Sequence, residues 1–386
     1  MKLLFISPSF YPAFYYGGPI YSTYSLALNL SKAGNKISVL TTDANGKHKL
    51  DLVKNTFIHY AKNFKVKYYL SVNHKGFSIN LLINAWRHFK TCDLIYLISV
   101  FSFTTPYTLF FSNLYKKKIV IAPMGQLNNW CINQGSKFKR LWLQLFIKPF
   151  LGSIIWHLAS HQEENMLKEV YPSALTVVLP HGIESTECDL TDEIIKDRNY
   201  FAKFTSKPIG KYVLVSLGRY HKVKGFDILI NSVELLKSQN ISLSLFIAGE
   251  DYGEKGFLKN LIDKKSLNDT VFLLNHLNGE EKKSFLSNAD LFVLASHSES
   301  FGMVYLEALA VGTPVIASKN TPWQEVEEND CGRYVVNSPE KIAAVIQEMI
   351  NSDLMLKGKN GIKLVKDRYL WESITESFNQ KFKSIL

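Results

Sequence analysis

The sequence predicts an α/β protein built from two Rossmann-like halves. Three observations carry this. An apolar strand, a glycine-bearing loop, a helix and a second apolar strand follow one another from Lys2 to Thr41. The same order returns from Tyr212 to Ala248. A further strand, loop, helix and strand occupies Leu291 to Ala317, so its loop opens at the carboxyl end of a parallel sheet, where α/β folds bind ligands. Repetition of one plan points to two similar domains facing each other across a cleft.

The elements read as follows. Lys2–Ile6 is a strand, and its loop carries Tyr11, Phe14, Tyr15, Tyr16, Gly17 and Gly18. Pro19 suits the first position of a helix that runs to about Lys32 and is closed by Gly34. Ile37–Thr41, Asp93–Val100, Lys118–Ala122 and Val177–Leu179 are further strands. Residues 184–210 turn polar and charged, as a linker would. In the second half, Tyr212–Ser216, Leu243–Ala248, Val271–Leu274, Leu291–Ala295 and Pro314–Ala317 are strands. Helices are expected from about Phe226, Glu280 and Gly302. The domains are expected at 1–205 and 206–367, with a C-terminal helix, 368–386, packing across their junction.

Composition narrows the function classes. The net charge is +11, and no acidic residue occurs between Asp93 and Glu163, where Lys116, Lys117, Lys118, Lys137, Lys139, Arg140 and Lys148 lie. Such a region attracts anions. No familiar nucleic-acid module is visible, so we expect no nucleic-acid partner. Ser136–Pro149 reads as a helix with Phe138, Leu141, Trp142, Leu145 and Phe146 on one face and basic residues on the other. It either packs on a core or lies on an anionic membrane. The nearly uncharged run Leu94–Phe111 reads as strand, loop and buried helix rather than a membrane span. Four scattered cysteines without metal spacing, and a short apolar start suited to a first strand, fit a cytoplasmic chain, peripheral on the inner face of the membrane if the basic helix docks there.

The candidate site residues follow from chemistry. Phe301, Gly302 and Met303 present backbone N–H groups at a helix start, which suits an anion. Glu307 sits among Leu306, Ala308, Leu309 and Ala310, and a carboxylate there needs a partner: a ligand hydroxyl, or an Arg or Lys of the chain. Gly218, Arg219, Lys224 and Gly225 form a strand-to-helix loop whose two cations suit a diphosphate. Leu277 follows a strand end, where a base or ribose could lie. Gly17 and Gly18 allow close approach of backbone to ligand.

These residues resemble a family. Gly17-Gly18, Gly218-Arg219 with Lys224-Gly225, and Glu299-Ser300-Phe301-Gly302 followed eight residues after Glu299 by Glu307 are similar to the signature of family 4 glycosyltransferases, retaining enzymes of the GT-B fold. Pro180-His181-Gly182-Ile183 resembles the family's Pro-Asn-Gly-Ile-Asp, with His181 and Glu184 as departures. The stretch from Ile119 with the basic helix after it resembles a subgroup that assembles bacterial surface polysaccharides, with Pro123-Met124-Gly125-Gln126 in place of Pro-Arg-Gly-Glu. The family's donor-sugar His has no counterpart in Tyr96-Leu97-Ile98-Ser99.

The resemblance implies a hexosyl transfer from a nucleotide diphosphate sugar to a glycan or polyprenyl-diphosphate-linked acceptor. Arg219 and Lys224 would hold the diphosphate, Glu299 would face the sugar, Glu307 would bind the ribose, and Ser300 to Met303 would line the donor. No Asp-x-Asp occurs, so no metal is expected. Two alternatives remain at this level: a sugar-nucleotide epimerase of the same architecture, and a non-catalytic GT-B scaffold.

Overall fold

In the computed structural model, the described residues are 1–128, 131–132, 137–188 and 196–386. Ser136, the expected start of the basic helix, and residues 189–195 of the expected linker lie outside them. The chain forms two units, Met1–Gly182 with Trp371–Leu386, and Ile183–Leu370.

The first unit holds an eight-stranded sheet. Its strands are β1 (Lys2–Ile6), β2 (Lys36–Thr42), β3 (Phe57–Ala61), β4 (Phe64–Tyr69), β5 (Leu94–Ile98), β6 (Lys118–Ala122), β7 (Ile154–Leu158) and β8 (Leu175–Val178). Their spatial order is β8-β7-β6-β5-β1-β2-β4-β3. All neighbours are parallel except the β3–β4 hairpin. The central strands are apolar on both faces because helices cover both. Helix α1 (Gly18–Lys32) buries Leu26, Ala27 and Leu30 on one face of the sheet. The C-terminal helix Trp371–Ile385 packs beside it through Trp371, Ile374, Phe378 and Phe382. On the other face lies α2 (Thr104–Leu114), and Leu143 and Ile147, after α3 (Lys137–Trp142), join the same core. Helix α4 (His161–Val170) follows β7, its first turn capped by the Ser160 side chain.

The second unit holds a six-stranded, wholly parallel sheet: β9 (Tyr212–Leu217), β10 (Leu243–Ala248), β11 (Val271–Leu274), β12 (Leu291–Leu294), β13 (Val315–Ser318) and β14 (Gly332–Val335). The order is β11-β10-β9-β12-β13-β14. Helices α5 (Phe226–Ser238), α6 (Gly279–Ser287) and α7 (Met303–Ala310) connect strands whose loops concern the site.

In both sheets the strand order reverses beside the first strand, between β1 and β5 and between β9 and β12. Loops diverge at such a switch point and leave room for a ligand at the carboxyl edge.

Three differences from the sequence reading have physical causes. The chain passes between units after Gly182 and after Leu370, not at 205 and 367. The polar 184–210 stretch hides Phe201 and Phe204, which pack on Phe246 and Phe285 of the second sheet. The C-terminal helix from Trp371 belongs to the first unit, where Phe378 packs on His157. The basic helix does not bury its expected face: Leu143 and Ile147 are buried, while Phe138, Leu141 and Leu145 are 63%, 49% and 56% exposed. Its regular turn ends at Trp142, and the following residues widen into a π-type turn, which rotates the apolar stripe. Among the described residues no helix is long and apolar enough to cross a membrane.

Candidate active site

The site is clearest in the second unit, where the loops after β9 and β12 meet. β9 ends at Gly218, and a short turn, Lys222–Lys224, leads to Gly225 in the left-handed region with φ 61°. A Cβ on Gly225 would stand 2.0 Å from the Ala295 carbonyl oxygen. Only glycine lets the two loops come this close. They are also bonded directly, since the His297 N–H donates to the Val223 carbonyl at 2.7 Å. Glycine recurs beneath them, where a Cβ on Gly249 would lie 1.8 Å from the Gly218 oxygen.

This apposition brings Lys224 onto Glu299. Lys224 Nζ donates to Glu299 Oε1 at 2.5 Å, and Ser296 Oγ donates to the same oxygen at 2.7 Å. Both charged side chains are nearly enclosed, 13% and 12% exposed. The Lys224 stem runs past Gly218, whose missing side chain leaves that path open. Arg219, from the same loop, makes no ion pair among the described residues and lies with its guanidinium 5.0 Å over the Tyr252 ring. Burial and then the Arg219 charge push the neighbouring His221 below its ordinary range. Of the two cations expected to hold a diphosphate, Lys224 is therefore committed to Glu299, and Arg219 is not paired with a carboxylate among the described residues.

Glu307 answers both expectations set by its apolar surroundings. Its Oε1 accepts from Lys282 Nζ of α6 at 2.7 Å. Its Oε2 is buried and has no hydrogen-bond partner among the described residues. A buried carboxylate oxygen without a donor costs about 1–3 kcal/mol, which a ligand hydroxyl would recover. Leu277, buried in the loop between β11 and α6, precedes the helix that carries Lys282.

The turn into α7 is fixed from behind. Gly302 has φ 83° and caps the helix, which starts at Met303 rather than at Gly302. Phe301 points inward: Trp323 Nε1 donates to its carbonyl oxygen at 2.5 Å, and its ring packs on Trp323 and Tyr369. The helix start at Met303 and Val304 is where N–H groups lack intrahelical acceptors.

Gly17 and Gly18 lie in the first unit, at the start of α1. Gly17 has φ 72° and ψ −142° and caps the helix, and Pro19 sits in its first turn. A Cβ at either position would meet no atom within 4 Å. Unlike Gly225, these glycines leave open space rather than filling a tight contact.

Sequence reasoning missed a second cluster in the first unit, at the carboxyl edges of β5, β6 and β7. Gln126 Oε1 accepts from the Val100 N–H at 2.8 Å, the Phe101 N–H at 3.1 Å and Ser99 Oγ at 3.0 Å. Glu163 accepts from the Gly125 N–H at 2.8 Å and the Ala159 N–H at 2.9 Å. Burial pushes the Glu163 carboxyl up to about 7. Ser99, Met124 and Gly125 all have positive φ, at 82°, 52° and 76°. Their signal in the sequence was limited to Pro123-Met124-Gly125-Gln126. Lys282, Ser296 and Tyr252 also carry no motif.

Residues 197–361 match the family described as Glycosyl transferases group 1. That match covers 165 of the 386 residues, all of them in the second unit. The fold is that of the GT-B glycosyltransferases, whose solved structures it matches over the full length. The chain is 40% identical over 115 residues to a D-inositol 3-phosphate glycosyltransferase of Arthrobacter, an alignment that spans 29% of this chain and 27% of that protein. It is 25% identical over 294 residues to the O-antigen biosynthesis glycosyltransferase WclY of Escherichia coli, covering 76% and 75% of the two chains. The crystal structure of Anabaena HepE in complex with UDP-glucose matches in fold over 100% of both chains, with a TM-score of 0.74 and 18% identity.

Proposed function

We propose that this chain is a retaining family 4 glycosyltransferase that moves a hexosyl group from a nucleotide diphosphate sugar to a glycan or polyprenyl-diphosphate-linked acceptor in surface-polysaccharide assembly. The observation that carries the reading is the second unit's switch point: Arg219, Lys224 and Glu299 on two stitched loops, with the open Glu307 Oε2 on the helix that leaves them. A diphosphate suits the two cations, and a ribose diol suits the carboxylate. The likeness to WclY over three quarters of both chains supports the pathway, and the UDP-glucose held by HepE makes uridine the first base to test.

In this reading the donor diphosphate takes over Lys224 from Glu299, and Arg219 swings from Tyr252 onto the same group. Glu299 is then released toward the sugar. The acceptor hydroxyl oxygen bonds to the anomeric carbon on the face that the leaving group departs. The bond from that carbon to the phosphate oxygen breaks, the acceptor proton passes to that oxygen, and the two cations stabilise the charge developing on the diphosphate. Leu277 and the Ser300–Met303 turn line the donor, while Gly17 and Gly18 let the α1 start approach a phosphate or hydroxyl.

A second part of the reading is docking on an anionic membrane through the first unit. Phe138, Leu141 and Leu145 are exposed, Phe110 and Leu114 of the neighbouring α2 are each 56% exposed, and the surrounding sequence carries lysines without any acid. Apolar side chains rimmed by cations suit a lipid interface. Sedimentation with phosphatidylglycerol vesicles at low salt tests it: the wild-type chain should pellet and a Phe138→Ser/Leu145→Ser variant should not. A wild-type chain that stays in the supernatant ends this part.

The donor reading is tested by a thermal-shift screen over nucleotide diphosphates and their sugars. A ligand at about 100 times its Kd adds roughly 2.7 kcal/mol, a clear midpoint shift. One base family should stabilise the chain, and Arg219→Ala should remove the effect. Turnover of the sugar nucleotide to an epimer without acceptor would instead favour an epimerase.

A further inference from the structure

The amino edge of the first sheet carries a cavity of about 520 Å³, at the opposite end of the strands from Gly17 and Ser99. Its walls hold Lys2, Lys36, Lys62, Lys65, His59 and His88. Leu3, Ile37 and Phe64, all buried in the sheet core, supply an apolar floor. No carboxylate lines it. Asp93, which follows the lining residue Cys92, accepts the backbone N–H of Lys2 on its Oδ2. Among the described residues none of the four lysines forms an ion pair, and Lys65 lies over the Phe57 ring at 4.4 Å. Elsewhere on the chain lysines do find carboxylates, as in Lys237–Asp269, Lys265–Glu234 and Lys357–Asp330.

We propose that this cavity is a second anion site, for a compact oligophosphate such as a nucleoside triphosphate, separate from the donor site. Size and charge select the class. The volume lies within the usual range of about 300–1,000 Å³ for small-molecule sites. Four ammonium groups around that space call for several negative charges, and phosphoryl groups reach that density in so small a body. The apolar floor can take a base or ring above it. Cations gathered without counter-charge repel one another, and a polyanion relieves this. Lys67, on β4 of the hairpin, adds to the field: burial first, and then the charges of Lys67 and Lys65, push His88 below its ordinary range. The site rests on the first unit alone and does not depend on the donor reading.

The test is calorimetric titration of tripolyphosphate, and then ATP, into the full chain already saturated with UDP. The wild-type chain should bind one equivalent, and affinity should fall at least tenfold between about 50 mM and about 300 mM salt. Lys36→Glu/Lys62→Glu, at two exposed positions, should weaken binding by more than tenfold, with an unchanged melting midpoint. Arg219→Ala should leave it unchanged. Equal binding by the lysine double variant would overturn the proposal, as would the absence of tripolyphosphate binding to the UDP-saturated wild type. Loss of binding in Arg219→Ala with the lysine variant unaffected would assign the anion to the donor loop instead. A chain that ignores UDP but binds tripolyphosphate through Lys36 and Lys62 would sink the donor reading and keep this one.

Discussion

At the second unit's switch point the loops carry Lys224 with Glu299 and Lys282 with Glu307, pairs that solvent still reaches at 13%/12% and 33%/19%. At the carboxyl edge of β6 and β7 in the first unit the ionisable groups are sealed. Glu163 is spent on two backbone N–H groups, and His157 is held between the Tyr96 hydroxyl at 2.6 Å and the Leu179 carbonyl at 2.9 Å. One edge holds ion pairs that solvent still reaches, which in the proposed function a donor would displace. The other uses polar groups to fix backbone, and the loops they fix do the presenting. The same Rossmann plan thus yields a reactive edge and a shaped edge.

The largest test of this contrast is to remove the exchangeable cations. Arg219→Ala and Lys224→Ala should each lower turnover by about 10²–10³-fold, as loss of one preorganised charge contact does. The melting midpoint should stay nearly unchanged in Arg219→Ala and fall in Lys224→Ala, which leaves the nearly enclosed Glu299 without its cation. A variant that keeps wild-type turnover would break the comparison. Next in size, Glu307→Ala should weaken donor binding by roughly 10–100-fold, the usual effect of losing hydrogen bonds to a charged group. Calorimetric affinity in the folded variant reads it directly, and an unchanged Kd would remove Glu307 from the site.

On the sealed edge the expected loss is stability. Glu163→Ala strands the Gly125 and Ala159 N–H groups and should cost about 2–4 kcal/mol in urea unfolding. Donor affinity in the second unit should stay put. A drop in donor affinity without a drop in stability would show the sealed edge acting like the other one.

The smallest effect is the pH dependence. Burial pushes His157 down to about 4 and His181 to about 3, both below the ordinary 6.5. The folded state holds them neutral, so their contribution is present above about 6.5 and is lost as pH falls toward 4 and 3. Glu163 runs the other way: pushed up to about 7 by burial, it favours the folded state at low pH and loses that contribution as pH rises through 7. Two histidines outweigh one carboxyl, so the unfolding midpoint should fall from pH 7 to pH 5. His181→Asn should flatten the fall; a midpoint that rises on acidification in the wild type would contradict the sealed pair.

How much of this the sequence discloses depends on the kind of residue. Lys118–Ala122, Leu243–Ala248 and Val271–Leu274 were legible to the residue because short, mostly apolar runs rich in Val, Ile, Leu and Phe between polar segments fit strands of a parallel sheet. The β3–β4 hairpin was not: its lysines alternate with apolar residues, and edge strands need no continuous run. In the candidate site, Lys224 and Glu307 could be picked out because a charge beside Gly225 and one inside an apolar helix violate the local pattern, while Glu299 came only from the resemblance to the family's paired glutamates. Lys282 could not, since one lysine on an exposed helix looks like any other until the fold sets it against Glu307. Phe138 and Leu145 share a helical spacing with Trp142, but whether that stripe faces in or out is decided by the widened turn after it.

The glycines at 225 and 249 set a limit for anyone who would re-engineer this protein. A methyl group there would land 2.0 Å and 1.8 Å from a carbonyl oxygen. In a saturation library those two columns should return a single letter, whatever sugar or acceptor is selected for. At position 18, where a methyl meets empty space, the library should return folded clones with changed substrate choice. Diversity spent at the first two positions is wasted, and at the third it samples specificity.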